Sequence, residues 1–228
     1  MTLFETMRRR AILALAAGFA AFAFAAGPAA ASKTTEDYVQ TNAQAVLTSL
    51  GAAKSSTERR AQFSALMDKF SDMRQVGETV LGRYARPLRA DPALYQQWQA
   101  TFREYGLATY EDSLDKYRGR DIKVLSSVDL TKNGHNYSIV RSQISQKNGQ
   151  PLRVDWTLLQ MPDGWKVVDV ALKFDESSLS LVVQQQGDFL AKLDKNGGDI
   201  RKLIDYVKAD TDRMRRNIEA RNGGAKPG

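Results

Sequence analysis

The chain lacks cysteine and contains a single histidine, His135, among its 228 residues. The absence of cysteine excludes a disulfide scaffold, an iron–sulfur cluster and a cysteine nucleophile. One histidine excludes a metal site built from several histidines, and it makes histidine acid–base chemistry depend on one position. His135 directly follows the turn dipeptide Asn133-Gly134, and no acidic pair lies beside it. We therefore predict that His135 is an exposed turn residue and that the chain uses neither a metal nor a cofactor.

Proline is also scarce, with 6 residues, while glycine is at an ordinary level with 16 residues, and 43% of the residues are hydrophobic. This composition excludes a collagen-like, low-complexity or largely disordered chain, and the length suits one domain. The 33 Lys and Arg exceed the 26 Asp and Glu, which gives a net charge of +7. The two signs are interleaved, without a basic stripe that carries aromatic stacking positions. We therefore expect no binding to nucleic acid.

A long apolar run occurs at the amino terminus. Three arginines at positions 8–10 precede the 16 residues from Ala11 to Ala26, and small residues continue to Ala31. A basic start, a short apolar run and a small-residue cleavage site are the parts of a secretory signal. The run is shorter than the 18 or so residues of a spanning helix, although a retained membrane anchor is the alternative. We predict a signal peptide over residues 1–31, exported by the Sec or the twin-arginine route, then one domain over 32–222 and a disordered tail over 223–228.

The pattern of the mature chain changes from helix to strand and back to helix. Phe63, Leu66, Met67 and Phe70 follow the spacing of one helix face. The dipeptides Asn133-Gly134 and Asp163-Gly164 separate alternating runs, which is typical of hairpins. We predict helices over 35–50, 56–70, 72–84, 92–117, 177–193 and 199–219, and strands over 122–128, 137–145, 153–160 and 165–172. This order predicts an α+β fold in which a four-stranded antiparallel sheet is packed by helices on one side.

Two carboxylates are the only candidates for acid–base catalysis. Asp155 and Asp169 lie in adjacent predicted strands. They can form an acid–base pair in a cavity, or they can be sheet-face charges matched to Arg141 or Arg153. We favour the second interpretation because no further acid or histidine is placed to complete a site. The sequence also lacks the motifs of a serine-hydrolase elbow, a glycine-rich phosphate loop and a zinc-protease helix.

The long predicted helix is unusually rich in aromatic residues. Tyr95, Trp98, Phe102, Tyr105 and Tyr110 span more than one helix face. A filled core and an apolar cavity between helix and sheet both fit this pattern, and the sequence leaves both open.

Several short motifs, in order and spacing, resemble the MlaC family, the periplasmic phospholipid-binding proteins of the Mla system, which are also labelled toluene-tolerance auxiliary proteins. The resemblance extends from about residue 38 to residue 208. Where the family carries a glycine, this chain has Ser178. The matching segments are Val80-Leu81-Gly82-Arg83-Tyr84, Thr101-Phe102-Arg103-Glu104-Tyr105, Tyr117-Arg118-Gly119, Val154-Asp155-Trp156 and Trp165-Lys166-Val167-Val168-Asp169-Val170.

The resemblance implies a monomeric periplasmic carrier without enzymatic activity. It would bind phospholipid and move it between an outer-membrane lipoprotein–porin complex and an inner-membrane ABC transporter with an MCE-domain protein, which maintains the lipid asymmetry of the outer membrane. The implied fold is a curved sheet similar to the nuclear-transport-factor-2-like cone. The alternatives are an isomerase- or dehydratase-like enzyme that uses Asp155 or Asp169, and a carrier of another apolar ligand such as a sterol-like lipid.

A phospholipid carrier must shield two acyl chains from water. At about 0.8 kcal/mol per CH₂, two chains of roughly fifteen carbons face a barrier of about 20 kcal/mol in an aqueous gap. A cavity near the upper end of the usual ~300–1,000 Å³ removes most of this cost, and the headgroup can stay in water with little selectivity. The expected lining is Val80, Leu81, Tyr84, Phe102, Tyr105, Thr109, Tyr110, Val140, Ile144, Val154, Trp156, Leu158, Val168, Val170 and Leu172, with Leu179 and Leu181 near the mouth.

Overall fold

The computed structural model describes residues 33–52, 55–147, 149–174 and 177–223. The predicted signal peptide lies outside the described residues, as does the predicted tail apart from residue 223. Within the described ranges, no helix combines the length and the apolar character needed to cross a bilayer. In chain order the elements are α1 (Lys33–Ala52), α2 (Ser56–Phe70), α3 (Met73–Thr79), α4 (Ala85–Leu88), α5 (Pro92–Leu114), β1 (Ile122–Lys132), β2 (His135–Ile144), β3 (Leu152–Met161), β4 (Gly164–Phe174), β5 (Ser177–Ser180), α6 (Leu181–Lys195) and α7 (Ile200–Gly223).

The five strands form one antiparallel meander in the order β1-β2-β3-β4-β5. The prediction of an α+β fold with an antiparallel sheet is confirmed, but the prediction of four strands is wrong. The segment Ser177–Ser180, predicted as the start of a helix, pairs with β4, with Leu179 opposite Leu172. Serine favours caps over helix interiors, and the Ser180 hydroxyl accepts a hydrogen bond from the Val183 amide at 3.0 Å. The helix therefore begins only at Leu181.

A bulge in β4 changes which side chains face the helices. Thr157 pairs with Asp169 and Leu158 pairs with Val167, so Val168 is the extra residue. A bulge shifts the alternation of side chains by one position. Val167 and Val170 are consequently both buried, whereas Val168 is half-buried.

The helices cover one face of the sheet. Helix α1 packs on β1 and β2, while α2, α3 and α6 contact β4, and α7 packs along α5. The predicted helix over 72–84 ends at Thr79 and continues as a 3₁₀ turn and α4, because Gly82 adopts a φ of 51° that interrupts regular helix. Helix α5 ends at Leu114 and is followed by a 3₁₀ turn to Tyr117.

An aromatic cluster fills the centre of the helical layer. Trp98 and Phe102 of α5 are fully buried, and their ring centroids lie 5.8 and 6.4 Å from that of Phe189 in α6. The Trp98 indole donates a hydrogen bond to the Gly77 carbonyl at 2.9 Å, which satisfies its polar group in the core. This part of the interior is a packed core.

Candidate functional site

An apolar cavity lies between the sheet and the ends of helices α2 and α5. Helix α2 contributes Met67, Phe70 and Ser71 at its end, and strand β4 contributes three residues on the opposite side. The complete lining is Val46, Met67, Phe70, Ser71, Tyr110, Ser113, Leu114, Tyr117, Trp156, Val167, Val170, Leu172 and Leu181. None of these thirteen residues carries a formal charge.

Helical spacing directs one face of α5 into the cavity. Tyr110, Ser113 and Leu114 follow the i, i+3, i+4 pattern, so their side chains lie on one face of the helix, and Tyr117 extends this face from the 3₁₀ turn that follows. On the sheet, Trp156 and Val170 are direct cross-strand partners on the face that meets the helices. These two elements form opposite walls.

A chain of aromatic contacts connects the helical wall with the sheet. The ring of Phe70 lies 5.6 Å from that of Tyr38 and 5.6 Å from that of Trp156. The Trp156 indole donates to the Ser142 hydroxyl at 2.8 Å, and the Ser71 hydroxyl donates to the Met67 carbonyl at 2.8 Å. These polar groups are therefore satisfied by the protein itself.

Tyr110 brings a polar group to the apolar lining. Its side chain is buried, and within the described chain its hydroxyl makes no hydrogen bond. Burial raises the pKa of Tyr110 well above its usual range, and the charge of Asp169 raises it further. The hydroxyl therefore stays protonated at neutral pH and acts as a donor rather than as a base.

The cavity is narrow. About 40 Å³ is open to the centre of a water-sized sphere, which is room for a few water molecules at about 10–15 Å³ each. Sites for drug-sized ligands measure about 300–1,000 Å³. The expectation of a cavity near the upper end of that range is therefore wrong for this structure, because side chains from both walls meet across the space.

Five of the predicted lining residues lie on the cavity, and twelve lie elsewhere. Eight of these are buried in the surrounding core, three are half-buried, and Leu179 is 38% exposed. Their contact with a ligand stays a prediction. On the cavity are Tyr110, Trp156, Val170, Leu172 and Leu181; the buried ones are Val80, Leu81, Phe102, Tyr105, Val140, Ile144, Val154 and Leu158; and the half-buried ones are Tyr84, Thr109 and Val168.

Eight lining residues were not among those predicted. The stripe of α2 was recognised as a helix face, but a stripe that covers a cavity and one that fills a core have the same spacing. Val167 takes the place of Val168 because of the bulge. The eight are Val46, Met67, Phe70, Ser71, Ser113, Leu114, Tyr117 and Val167.

The two candidate catalytic carboxylates are engaged in other contacts. Asp155 lies 3.2 Å from the Lys173 ammonium group, so its ion-pair partner is Lys173 rather than Arg141 or Arg153. Asp169 accepts hydrogen bonds from the amides of Val170 and Val182, at 2.8 and 3.2 Å, and from the Ser180 hydroxyl at 2.6 Å. Asp169 thus attaches the start of α6 to β4.

The described residues also bear on metal binding and on His135. Across the described ranges, no group of His, Cys, Asp and Glu is arranged to hold a metal ion. His135 is exposed at the start of β2, beside the turn formed by Asn133 and Gly134. The arrangement of the cavity is suited to holding an apolar ligand.

Comparisons with known proteins give a family and a fold. The family model described as MlaC protein matches residues 40–209. Among solved structures, the chain is similar to a phospholipid-binding protein from Ralstonia solanacearum, determined in complex with a phospholipid, with a TM-score of 0.64 and 21% identity. That alignment covers 78% of this chain and 97% of the other, and at this identity it shows a shared fold. No curated protein matches the chain.

Proposed function

The chain belongs to the MlaC family, and we propose from this premise that it is a periplasmic carrier that holds the acyl chains of a phospholipid between its sheet and its helices. The observation that supports this proposal most directly is the lining of the cavity, in which thirteen residues, from six helices and strands and from the turns after α2 and α5, carry no formal charge. The similar protein from Ralstonia solanacearum, described as phospholipid-binding, supports the ligand class.

The physical benefit of such a site is the shielding of CH₂ groups from water. Each CH₂ that leaves water contributes about 0.8 kcal/mol. Around a bound acyl chain, water would be replaced by contacts with Val46, Met67, Phe70, Leu114 and Leu172. These apolar contacts do not depend on direction, as hydrogen bonds do. Carrier function therefore requires neither a catalytic residue nor a cofactor.

Entry of an acyl chain requires the cavity to widen. The helical side of the cavity includes the end of α2, the end of α5 and the start of α6, and the ends of elements move at lower cost than their centres. An acyl chain that enters replaces contacts between the cavity walls by contacts between the walls and itself. The cavity can therefore widen without exposing apolar surface to water. We propose that the narrow cavity is the form without lipid and that the lipid opens it.

We propose further that the carrier moves lipid between an outer-membrane lipoprotein–porin complex and an inner-membrane ABC transporter with its MCE-domain protein. Such transfer needs similar affinities at each step, because a ligand moves only according to its difference in affinity. The proposal includes a signal peptide over residues 1–31, a lipid-binding domain over 32–222 and a tail over 223–228. Similarity of the sheet to the nuclear-transport-factor-2-like cone, and a monomeric state, stay predictions.

The contacts of Asp155 and Asp169 favour a carrier over an enzyme on this fold. A general acid or base must reach the substrate within hydrogen-bond distance. Asp155 pairs with Lys173 and Asp169 holds the start of α6, and neither residue lines the apolar cavity.

Mass spectrometry of an organic extract of the purified protein tests the ligand class. We expect phospholipid at close to one molecule per chain. Recovery of a sterol-like molecule would show that the carrier binds a different apolar ligand. The proposal would be contradicted if the extract contained no lipid and the protein also took up none from vesicles.

A matched pair of variants tests the cavity itself. Leu172 lines the cavity, whereas Leu130, near the end of β1, is 37% exposed and lies outside the lining. We expect Leu172→Asp to lose at least about 90% of the bound lipid, because a carboxylate in an apolar site is costly. Leu130→Asp should retain the lipid. Equal retention by two folded variants, verified by circular dichroism, would contradict this assignment of the site.

A further inference from the structure

Strands β1 and β2 carry a strip of apolar side chains that are open to solvent. Leu125, Val128 and Leu130 of β1 are 50%, 39% and 37% exposed. Val128 pairs with Ile139 of β2 and Leu130 pairs with Tyr137, and both β2 partners are half-buried. Because directly paired residues share one face of a sheet, the side chains of these two pairs form a continuous apolar strip, which Leu125 extends along β1.

The strip lies on the face of the sheet that points away from the helices. Ser138 and Val140, the neighbours of Ile139 along β2, are fully buried. The Ser138 hydroxyl lies 2.9 Å from the hydroxyl of Thr35 in α1, within hydrogen-bond distance, so this side of β2 faces the helices. Successive side chains of a strand point to opposite faces. Tyr137 and Ile139 therefore point outward, away from the helices and from the cavity.

The charges that β1 and β2 place on this outward face are all positive. Asp129, the one carboxylate in these two strands, belongs to a pair on the opposite face. Arg141 lies opposite Asp155 of β3, which offsets its charge. Lys123 and Lys132 are exposed, one near each end of the apolar strip. The outward pairs are Lys123–Gln143, Ser126–Arg141, Val128–Ile139, Leu130–Tyr137 and Lys132–His135.

The edge of β1, in contrast, is protected against pairing with a further strand. Gln40 of α1 accepts a hydrogen bond from the Val124 amide at 3.0 Å and donates one to the Ile122 carbonyl at 2.9 Å. Gln44 accepts from the Ile122 amide at 3.0 Å. The bulge at Leu125 interrupts the strand directly afterwards. Such features oppose strand addition, so the face of the hairpin is better suited to contact than its edge.

We propose that the outward face of β1 and β2 docks the protein on a bilayer that contains anionic lipids. The apolar strip enters the boundary between headgroups and acyl chains, and Lys123 and Lys132 lie against anionic headgroups. A second copy of the chain suits this face less well, because a symmetric contact would bring the same lysines together without a carboxylate to match them. This inference goes beyond the proposed function, since the docking face lies on the opposite side of the sheet from the cavity.

Flotation with vesicles tests the docking face. Purified protein is mixed with vesicles of phosphatidylcholine alone, or of phosphatidylcholine and phosphatidylglycerol in equal parts, and the protein that floats with the vesicles is measured. We expect the original chain to float with the anionic vesicles and Lys123→Gln/Lys132→Gln to lower its partition coefficient about tenfold or more. Leu125→Thr/Val128→Thr should also lower it, because less apolar area enters the bilayer. Higher ionic strength should weaken flotation, because salt screens exposed charges.

Two control variants separate the docking face from overall charge and from the identity of the cations. Lys195→Gln/Lys208→Gln removes the same charge from exposed positions on α6 and α7, and we expect it to float like the original chain. Lys123→Arg/Lys132→Arg keeps both charges, and we expect it to retain flotation. Circular dichroism verifies the fold of each variant.

Several outcomes would overturn the docking face. One is an original chain that floats with neither kind of vesicle. Another is equal flotation of the original chain and Lys123→Gln/Lys132→Gln, and a third is an equal loss in Lys195→Gln/Lys208→Gln, which would assign the attraction to overall charge. In sedimentation equilibrium, a dimer of the original chain that becomes a monomer in Leu125→Thr/Val128→Thr would assign this face to a second copy of the chain instead.

Two single variants distinguish a failure of this inference from a failure of the proposed function. Leu130→Asp places a carboxylate on the docking face, so it should lose flotation while its cavity keeps the lipid. Leu172→Asp should lose the lipid and float like the original chain, since Leu172 lines the cavity on the other face. An original chain that floats but carries no lipid would contradict the proposed function and support the docking face. Unchanged flotation of Leu130→Asp would overturn the docking face, whatever its lipid content.

Discussion

Arg59 and Glu111 form an ion pair inside the helical layer, with 3.7 Å between the Arg59 Nε and the nearer Glu111 oxygen. Their side chains are only 7% and 3% exposed. The Nε and one Nη of Arg59 have no hydrogen-bond partner within the described chain. A buried pair with imperfect geometry recovers only part of its desolvation cost, so the charged form of Glu111 is costly at this position.

The first prediction concerns the pH dependence of Glu111. Burial raises its pKa above the usual value, and the charges of Arg60, Arg59 and Arg215 oppose this rise without cancelling it. Because the folded pKa is raised, the contribution to stability is present when Glu111 is protonated and falls as pH rises from about 4.5 through the folded pKa. We expect the free energy of unfolding of the original chain, relative to Glu111→Gln, to fall over this interval in urea titrations.

Asp37→Asn serves as the control for that titration, since Asp37 is an exposed partner of Lys33. A difference between Glu111→Gln and the original chain that stays constant over this pH range would contradict the assignment.

The second prediction concerns the hydroxyl of Tyr110. Because this group has no hydrogen-bond partner within the described chain, Tyr110→Phe should change the free energy of unfolding by less than about 0.5 kcal/mol or raise it. Tyr38→Phe is the comparison, since the Tyr38 hydroxyl donates to the carbonyls of Lys69 and Phe70 at 3.2 Å. Its removal should cost about 1 kcal/mol. Equal losses in urea denaturation would show that Tyr110 has a partner.

At the scale of elements, α3 and α5 pack closely at a glycine. A Cβ at Gly77 would lie 2.8 Å from the ring of Phe102. That ring is fully buried and contacts Trp98, Tyr105 and Phe189, so it has little room to move. The absence of a side chain at position 77 therefore sets the distance between the two helices.

The third prediction compares two helical glycines. Gly77→Ala should lower the free energy of unfolding by about 1–3 kcal/mol through overpacking. A Cβ at Gly187 in α6 would point into open space, with no atom of another element within 4 Å. Gly187→Ala should therefore raise stability by about 0.5–1 kcal/mol through the helix propensity of alanine. Thermal and urea unfolding measure both effects, and a stabilising Gly77→Ala would contradict the close approach.

At the scale of the whole molecule, a packed core and a region with a narrow cavity lie side by side. The aromatic cluster around Trp98 and Phe189 is closed. The cavity near Trp156 and Leu172 is narrow, is lined without charge and lies between the sheet and the ends of helices α2 and α5. In the proposed carrier, one part of the interior holds the fold together while the other accepts the ligand.

The fourth prediction concerns export. Cleavage after Ala31 makes Ser32 the first residue of the mature protein. We expect N-terminal sequencing of protein from the periplasmic fraction to begin at Ser32, because small residues at positions 29 and 31 suit signal peptidase. Full-length protein in the membrane fraction would instead indicate a retained anchor.

Local patterns predicted the elements well wherever neighbouring residues decide the conformation. The dipeptide Asn133-Gly134 forms the predicted turn, with φ angles of 52° and 76°, and the spacing of Phe63, Met67 and Phe70 corresponds to α2. One exception is Ser177–Ser180, where pairing with β4 overrides the expected helix. A short segment takes the conformation that its tertiary partners stabilise.

Apart from strand β5, the sequence by itself determined the order of helices and strands, the family and the apolar character of the interior, because periodicity, turn residues and motifs depend on short separations along the chain. Only the tertiary structure decided where the cavity lies and how narrow it is. Whether facing side chains fill a space depends on how distant elements meet. The one extra residue of the β4 bulge, Val168, shifts the alternation of side chains, so that Val167 lines the cavity in place of Val168.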